Sequence, residues 1–343
     1  MATAPLAWPT AMSSSSTVTL ALCIPAYNAT PFLGRLLESA RRQTEPFDEI
    51  WVYDDASTDG TAELARQLGA QVVRGEKNAG CSHGKNIVAT RCSSTWLHFH
   101  DADDALEPHF VETARQWMVR DDAPDVVFFN YRTLEDGTER LLGTREFNGA
   151  ALRHDALAYC LAEQINPFCG LYRREPFLAA GGWDEDIRIL QSEDQAGHLR
   201  LALAGLRFDA DPTYAVINYI RAGSMTTGNL AGAQRSTYHV LAKGAASAPA
   251  RYHEIIALRL WGIAGLSAAY HDWENADRAA ALALQIAPAM PVPGGKIMQL
   301  FAHRFPRSTL RIRERLIRIF RSSARKEDVY QRAPNLRPDT EAL

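Results

Sequence analysis

Short apolar runs alternate with amphipathic stretches through the first third of the chain, and each apolar run stops at a polar cluster. Val18 to Ile24 is an apolar run that ends at Pro25-Ala26-Tyr27-Asn28. Ile50-Trp51-Val52-Tyr53 ends at Asp54-Asp55, and Gln71-Val72-Val73-Arg74 predicts a third strand. Trp96-Leu97-His98-Phe99 predicts a fourth, stopping before Asp101-Ala102-Asp103-Asp104. Between them, Phe32, Leu33, Leu36, Leu37 and Ala40 recur at helical spacing and predict a helix over 31–43. Thr58-Asp59-Gly60-Thr61 offers caps for a helix over 60–68 that Gly69 closes, and a further helix is expected over 80–91. Strands alternating with helices at this pitch predict an α/β fold with a mostly parallel, doubly wound sheet flanked by helices. Ligands of such sheets bind beyond the carboxyl ends of the strands, where these polar clusters fall.

Farther along, Val126 to Phe129 predicts another strand and Asn166 to Tyr172 an extended piece. A short helix from Glu175, the turn Gly181-Gly182-Trp183, an amphipathic helix over 193–204 and extended pieces near Phe208 and over 214–220 follow. From about 229 the chain turns to Ala-rich helix, with a helical hairpin expected from Ile255 to Tyr270 and Glu274 to Ala287. Four regions result: a flexible N-terminus over 1–17, an α/β domain over 18–228, a helical extension over 229–290, and a linker, basic amphipathic helix and polar tail over 291–343.

Composition leaves this picture intact: 46% hydrophobic and 22% charged residues are those of a globular protein. The five cysteines form no C-x-x-C pair, which argues against a disulfide framework and a structural zinc site. No apolar run reaches bilayer-spanning length, and 1–17 does not resemble a signal peptide, so a cytoplasmic protein is expected. The net charge of −3 is unevenly spread, because Arg304 to Lys326 holds nine Arg or Lys against one Glu. The remainder carries about −11, which disfavours nucleic acid as a partner.

Candidate chemistry centres on the carboxylates. Asp101 and Asp103, two residues apart, fall on one side of an extended chain. Such an oxygen-rich corner suits Mg²⁺ or Mn²⁺ with phosphate oxygens completing the shell. The bland alternative is an Asp-rich turn capping the helix after Pro108. Ser192-Glu193-Asp194 reads equally as the N-terminal box of the next helix.

In order along the chain, the pieces resemble the family-2 inverting glycosyltransferases. They comprise Ile24 to Asn28, Val52 to Thr61, Asn78-Ala79-Gly80 leading to Lys85-Asn86, and His100 to Asp104. Gly181 to Glu185, Ser192-Glu193-Asp194, Leu199-Arg200-Leu201 and Tyr219 to Thr226 complete the match over about 18–228. The resemblance implies a GT-A nucleotide-sugar fold with a C-terminal helical extension outside it. It also implies transfer of one sugar from a nucleoside-diphosphate sugar to a glycan or lipid-linked acceptor, as in bacterial cell-surface polysaccharide or lipopolysaccharide synthesis.

Residue by residue, the resemblance makes Asp103 the metal carboxylate and Asp101 its partner, nearer the ribose. Asp54 and Asp55 would meet base and ribose, with a turn role beside Ser57 as the alternative. Pro25, Ala26 and Tyr27 would set backbone groups and a ring against the base. Lys85 would face the diphosphate, or else be an exposed helix residue. Asp194 would be the catalytic base, oriented by Glu193, with Trp183 on the acceptor side or simply a core tryptophan. Four departures stand out: Lys85 where Arg is commoner, Ala56 where Gly is commoner, His100 where an apolar residue is usual, and Ala222-Gly223 where many relatives carry a histidine. His98 and His100 are left out of the metal site.

Arg304 to Lys326 sets Ile312, Leu316, Ile319 and Phe320 in one stripe beside Arg311, Arg315 and Arg318. This predicts either a contact with an anionic membrane surface or a helix docked on the domain through the stripe. No Gln-x-x-Arg-Trp segment is present, which points away from a processive synthase. The rival functions are a sugar nucleotidylyltransferase, which needs a Gly-rich basic loop after the first strand, and a non-catalytic nucleotide-sugar-binding relative.

Overall fold

A computed structural model describes residues 18–221, 229–292, 299, 301–302 and 304–320. The expectations for 1–17, for 222–228 and for 321–343 lie outside the described residues. The strands are β1 (Leu20–Ala26), β2 (Glu49–Asp54), β3 (Gln71–Arg74), β4 (Trp96–Phe99), β5 (Ala105–Leu106), β6 (Val126–Glu135), β7 (Leu141–Arg145), β8 (Gly170–Arg173) and β9 (Phe208–Ile220). They form one sheet in the order β3-β2-β1-β4-β8-β6-β9-β5, with β7 paired to the far end of β6. The half β3-β2-β1-β4 is wholly parallel, its strands crossed over by helices Thr30–Arg41, Thr61–Gln67 and Cys81–Arg91. Its inner strands β1 and β4 are buried on both faces, as their continuous apolar runs require: every residue of each is buried, while the edge strand β3 has none.

Beyond β4 the sheet is mixed. β8 runs antiparallel to both β4 and β6, and β9 runs parallel to β6. The two extended pieces expected near Phe208 and over 214–220 are one strand, β9, whose register with β6 slips at Asn130. Pro212, which has no N–H for the ladder, lies at that slip, and its carbonyl accepts from Asn130 Nδ2 at 3.0 Å. The piece expected over 166–172 is a 3₁₀ turn, Pro167–Cys169, leading into β8.

The described C-terminal region holds more than a hairpin. Helix Leu230–Ser247 precedes the pair His253–Ala269 and Trp273–Ile286, and helix Pro306–Phe320 packs on that pair. The apolar core of these helices includes Leu161, Ile189, Ala196 and Leu199 of the α/β domain. The extension therefore shares its core with helix Glu193–Leu203, which begins with the expected catalytic pair.

Candidate active site

The carboxyl ends of β2, β1 and β4 lie side by side and present the three polar clusters on one rim. Asp54 and Asp55, expected at base and ribose, are both buried and engaged within the protein. Asp54 Oδ1 accepts the Ser57 N–H at 3.0 Å and Oδ2 lies 3.3 Å from Arg74 Nε, which is the turn alternative realised. Asp55 accepts from the N–H groups of Ala79 and Gly80, both at 2.8 Å, and ties the Asn78-Ala79-Gly80 loop to the strand end. The loop leads into helix Cys81–Arg91. Pro25 and Ala26 are buried, and Ala26 offers its carbonyl to the Asp55 N–H. Tyr27 alone of that corner is open, at 51% exposure. Ala56 sits at φ +61°, the left-handed region that glycine tolerates, which accounts for glycine being the commoner residue at this position of the motif.

The Asp101–Asp104 turn is less uniform than its sequence. Asp104 is buried and accepts from Asn218 Nδ2 at 3.1 Å and from the Tyr219 N–H at 2.7 Å, so it fastens the turn to β9 rather than capping a helix. Asp101 and Asp103 remain partly open, and Asp103 Oδ2 lies 3.0 Å from Arg221 Nη2. Burial first, then repulsion from Asp101, raises the Asp103 pKa against the pull of Arg221 and Arg35. Arg35 also bonds the Asp103 carbonyl and stacks over Tyr219. His98 and His100 lie behind this turn, fully buried and joined Nε2 to Nδ1 at 2.9 Å. Burial lowers the His98 pKa to about 3 and that of His100 also far down, so both are neutral packing residues.

Lys85 joins the two acidic centres. The alternative of an exposed helix residue fails, because its side chain is 1% exposed. Its ammonium lies 3.8 Å from Asp101 Oδ1 and 3.7 Å from Asp194 Oδ1. Burial opposes the charge, but Cys81, Asp101, Asp194 and Glu193 around it outweigh burial and hold its pKa above the ordinary lysine value. Asp194 Oδ1 is sealed from solvent and accepts no hydrogen bond. Burial and the neighbouring Glu193 push the Asp194 pKa well up, with Lys85 pulling the other way. Glu193 Oε1 accepts from the Cys81 thiol at 3.0 Å.

Trp183, expected on the acceptor side, is 1% exposed and lies edge-on to Phe99, Tyr172 and His198. This is the core alternative: the ring offers no open face and instead walls Lys85, whose ammonium is 5.4 Å from its centroid. Gly197 permits that packing, since a Cβ there would fall 2.1 Å from Trp183 Cε3. The N-terminal box at Ser192 is not formed; its hydroxyl pairs with Thr237 Oγ1 at 2.9 Å instead of capping its own helix. Ser236 bonds the Arg188 carbonyl and the Gln191 N–H, while Lys243 holds Asp184 at 2.7 Å and Asp186 at 2.9 Å. Helix Leu230–Ser247 thus grips the loop that delivers Asp194. Sequence reasoning did not assign this grip, nor the roles of Arg35, Arg221 and Cys81. Arg221 alone carried a signal, lying within the Tyr219 to Thr226 motif, of which 222–226 lies outside the described residues.

The parallel half of the sheet, flanked by helices and carrying its polar clusters on one carboxyl rim, has the architecture of the GT-A fold. Residues 21–179 match the family model for Glycosyl transferase family 2, and the fold is of GT-A type. A protein of Haemophilus influenzae described as an uncharacterized glycosyltransferase is 27% identical over 194 residues, 51% of this chain and 60% of its own length. A chondroitin synthase of Escherichia coli is 30% identical over 120 residues, 34% of this chain and 18% of that protein. The chain thus spans less than two thirds of the length of these curated relatives. Among solved structures, S. aureus TarS 1–349 in complex with UDP-GlcNAc superposes with a TM-score of 0.67 at 16% identity, covering 88% of this chain and 92% of that one. The mannosyltransferase PcManGT from Pyrobaculum calidifontis, in complex with GDP-Man and Mn²⁺, gives 0.54 at 19% identity, covering 94% and 87%. Both likenesses concern the fold. No helix among the described residues is long and apolar enough to cross a membrane.

Proposed function

We propose that this domain moves a single sugar, with inversion, from a nucleoside-diphosphate sugar to a hydroxyl of a glycan or lipid-linked acceptor, in bacterial cell-surface polysaccharide or lipopolysaccharide synthesis. The observation that carries the reading is Lys85, within 3.8 Å of Asp101 and 3.7 Å of Asp194. One buried ammonium brings the carboxylate beside the expected diphosphate together with the carboxylate expected to act as base. TarS with UDP-GlcNAc and PcManGT with GDP-Man support a nucleotide-sugar donor without naming the base or sugar here.

In this reading Asp194 takes the proton of the acceptor hydroxyl as its oxygen attacks the anomeric carbon. The bond from that carbon to the phosphate oxygen breaks, and the nucleoside diphosphate leaves with the electron pair. Attack from the side opposite the phosphate inverts the anomeric centre. Burial and Glu193, itself fixed by Cys81, raise the basicity of Asp194, while Lys85 opposes that shift and favours the charged form. Tyr27, open at the rim, is the ring available to a nucleobase, while Asp54 and Asp55 shape the loops around it. Trp183 acts through Lys85 and the Asp194 helix rather than by contact with the acceptor.

The donor set at Asp101 and Asp103 fits Mn²⁺ or Mg²⁺: two partly open carboxylates that repel each other, with Lys85 3.8 Å from Asp101 and Arg221 3.0 Å from Asp103. Among the described residues no group of three or more His, Cys, Asp or Glu is arranged to hold a metal alone. That suits a cation bound by one or two carboxylates plus substrate phosphates. Such a cation would supply positive charge to the leaving phosphate oxygens. A location on the cytoplasmic side, at the inner membrane face, suits a lipid-linked acceptor.

The test separates the two acidic centres. Thermal shift with nucleoside diphosphates, their sugars and Mn²⁺ should show a metal-dependent rise in unfolding temperature. Asp194→Asn should retain that shift while losing transfer by about 10²–10⁴-fold. Asp103→Asn should lose the shift itself. Full transfer by both variants would refute the assignment.

A further inference from the structure

Helix Pro306–Phe320 packs on the hairpin in an unusual sense. Its inner face carries Thr309, Leu310 and Glu314, all under 8% exposed. The apolar stripe points outward: Ile312, Leu316, Ile319 and Phe320 are 57%, 45%, 68% and 78% exposed. Phe301 and Phe305, just before the helix, are also about half exposed. An amphipathic surface helix normally turns its apolar side to the core, so this stripe is left for something else to cover.

Charge shows what fits. Arg307 and Arg311 bind Asp277, and Arg318 pairs with Glu314 at 2.9 Å and bonds the Ala269 carbonyl. These contacts lock the rotation of the helix and keep the stripe outward. Arg315 flanks the stripe and Arg304 stands exposed just before the helix, neither with an ion-pair partner among the described residues. Apolar side chains rimmed by arginines match a bilayer interface, where acyl chains take the stripe and anionic headgroups take the guanidinium groups. A second copy would bring the same arginine rim against itself, and like charges across an interface oppose association. Nucleic acid would satisfy the arginines but leave the stripe in water.

We propose that the outward face of helix Pro306–Phe320 is a docking surface for an anionic lipid bilayer, on which the protein lies without spanning it. The full chain should co-sediment with vesicles of phosphatidylcholine containing one quarter phosphatidylglycerol, far more than with phosphatidylcholine alone, and added salt should weaken binding. Ile312→Glu/Ile319→Glu should lower the partition coefficient at least about tenfold. Arg304→Ala and Arg315→Ala should each lower it about fivefold, as expected of one cation near a charged surface. These side chains are exposed, so unfolding midpoints should stay at the wild-type value and exclude misfolding. Absence of vesicle binding, equal binding to both vesicles, or binding unaffected by the glutamate pair would overturn the proposal. So would a wild-type dimer that the glutamate pair converts to monomer. Vesicle binding is read without donor or acceptor, so its failure and a failure of the transferase reading are separate results.

Discussion

The proposed donor corner at Asp101 and Asp103 and the proposed base corner at Asp194 use the same side chain under opposite conditions. The donor corner is made by one turn of chain, stays partly open, and is neutralised by Arg221 and Arg35 arriving from remote elements. The base corner buries one oxygen completely beneath Lys85, within walls drawn from helix Cys81–Arg91, Trp183 and helix Glu193–Leu203. An open corner can exchange an arginine for a cation and phosphates at little cost. A closed corner cannot exchange partners, but burial gives its carboxylate the raised basicity that proton removal needs. Among the described residues, the extension reinforces the closed corner, through Thr237, Ser236 and Lys243.

Removing the cation from each corner should break the comparison most sharply. Lys85→Met leaves two carboxylates facing each other with one of them buried, and should lower the unfolding free energy by about 3 kcal/mol in urea titration. Arg221→Ala removes a half-open partner and should change stability by about 1 kcal/mol at most. Equal effects would mean that the corners do not differ in burial as described. Next in size, Gly197→Ala should cost about 1–3 kcal/mol in the same titration, because its methyl must displace the buried Trp183 ring.

The pH profile sharpens the contrast further. Asp194 must be ionised to accept a proton, so its raised pKa places the acid limb of kcat/KM above the ordinary carboxylate range, with activity rising as pH rises through it. Glu193→Gln removes a repelling charge and should move that limb to lower pH. An unmoved limb in Glu193→Gln would detach Asp194 from the profile. The smallest expected effect lies at the nucleotide rim, where Ala56→Gly should stabilise the fold by about 0.5 kcal/mol. A loss of unfolding temperature there would show that the left-handed turn is not strained.

The parallel half was legible because its signals are local. Apolar runs predicted β1 to β4 to within a few residues, and Gly69, at φ +87°, ends its helix as read. Residues 130–165 carried no comparable reading, since β7 has no buried residue and lacks an apolar run. Helices Gly149–His154 and Ala156–Ala162 are short, yet Asn148 and Asp155 cap them by side-chain bonds, a signal available in the sequence. Trp183 shows the other limit: a tryptophan after two glycines reads alike as a ligand platform or a core ring. Asp54 and Asp55 likewise show that acidic residues at a strand end can be buried and engaged by backbone N–H groups of the neighbouring loops.

Residue order alone determined where the strands end, that Asp101 and Asp103 share one turn, and that Ile312, Leu316, Ile319 and Phe320 share one helix face, because strand and helix periods are properties of the local backbone. Only the tertiary structure decided that Lys85 lies between Asp101 and Asp194, that Arg221 answers Asp103, and that the apolar stripe faces outward. Charge balance and burial depend on distances between residues far apart in the chain, and those distances come into being only when the sheet and its helices pack.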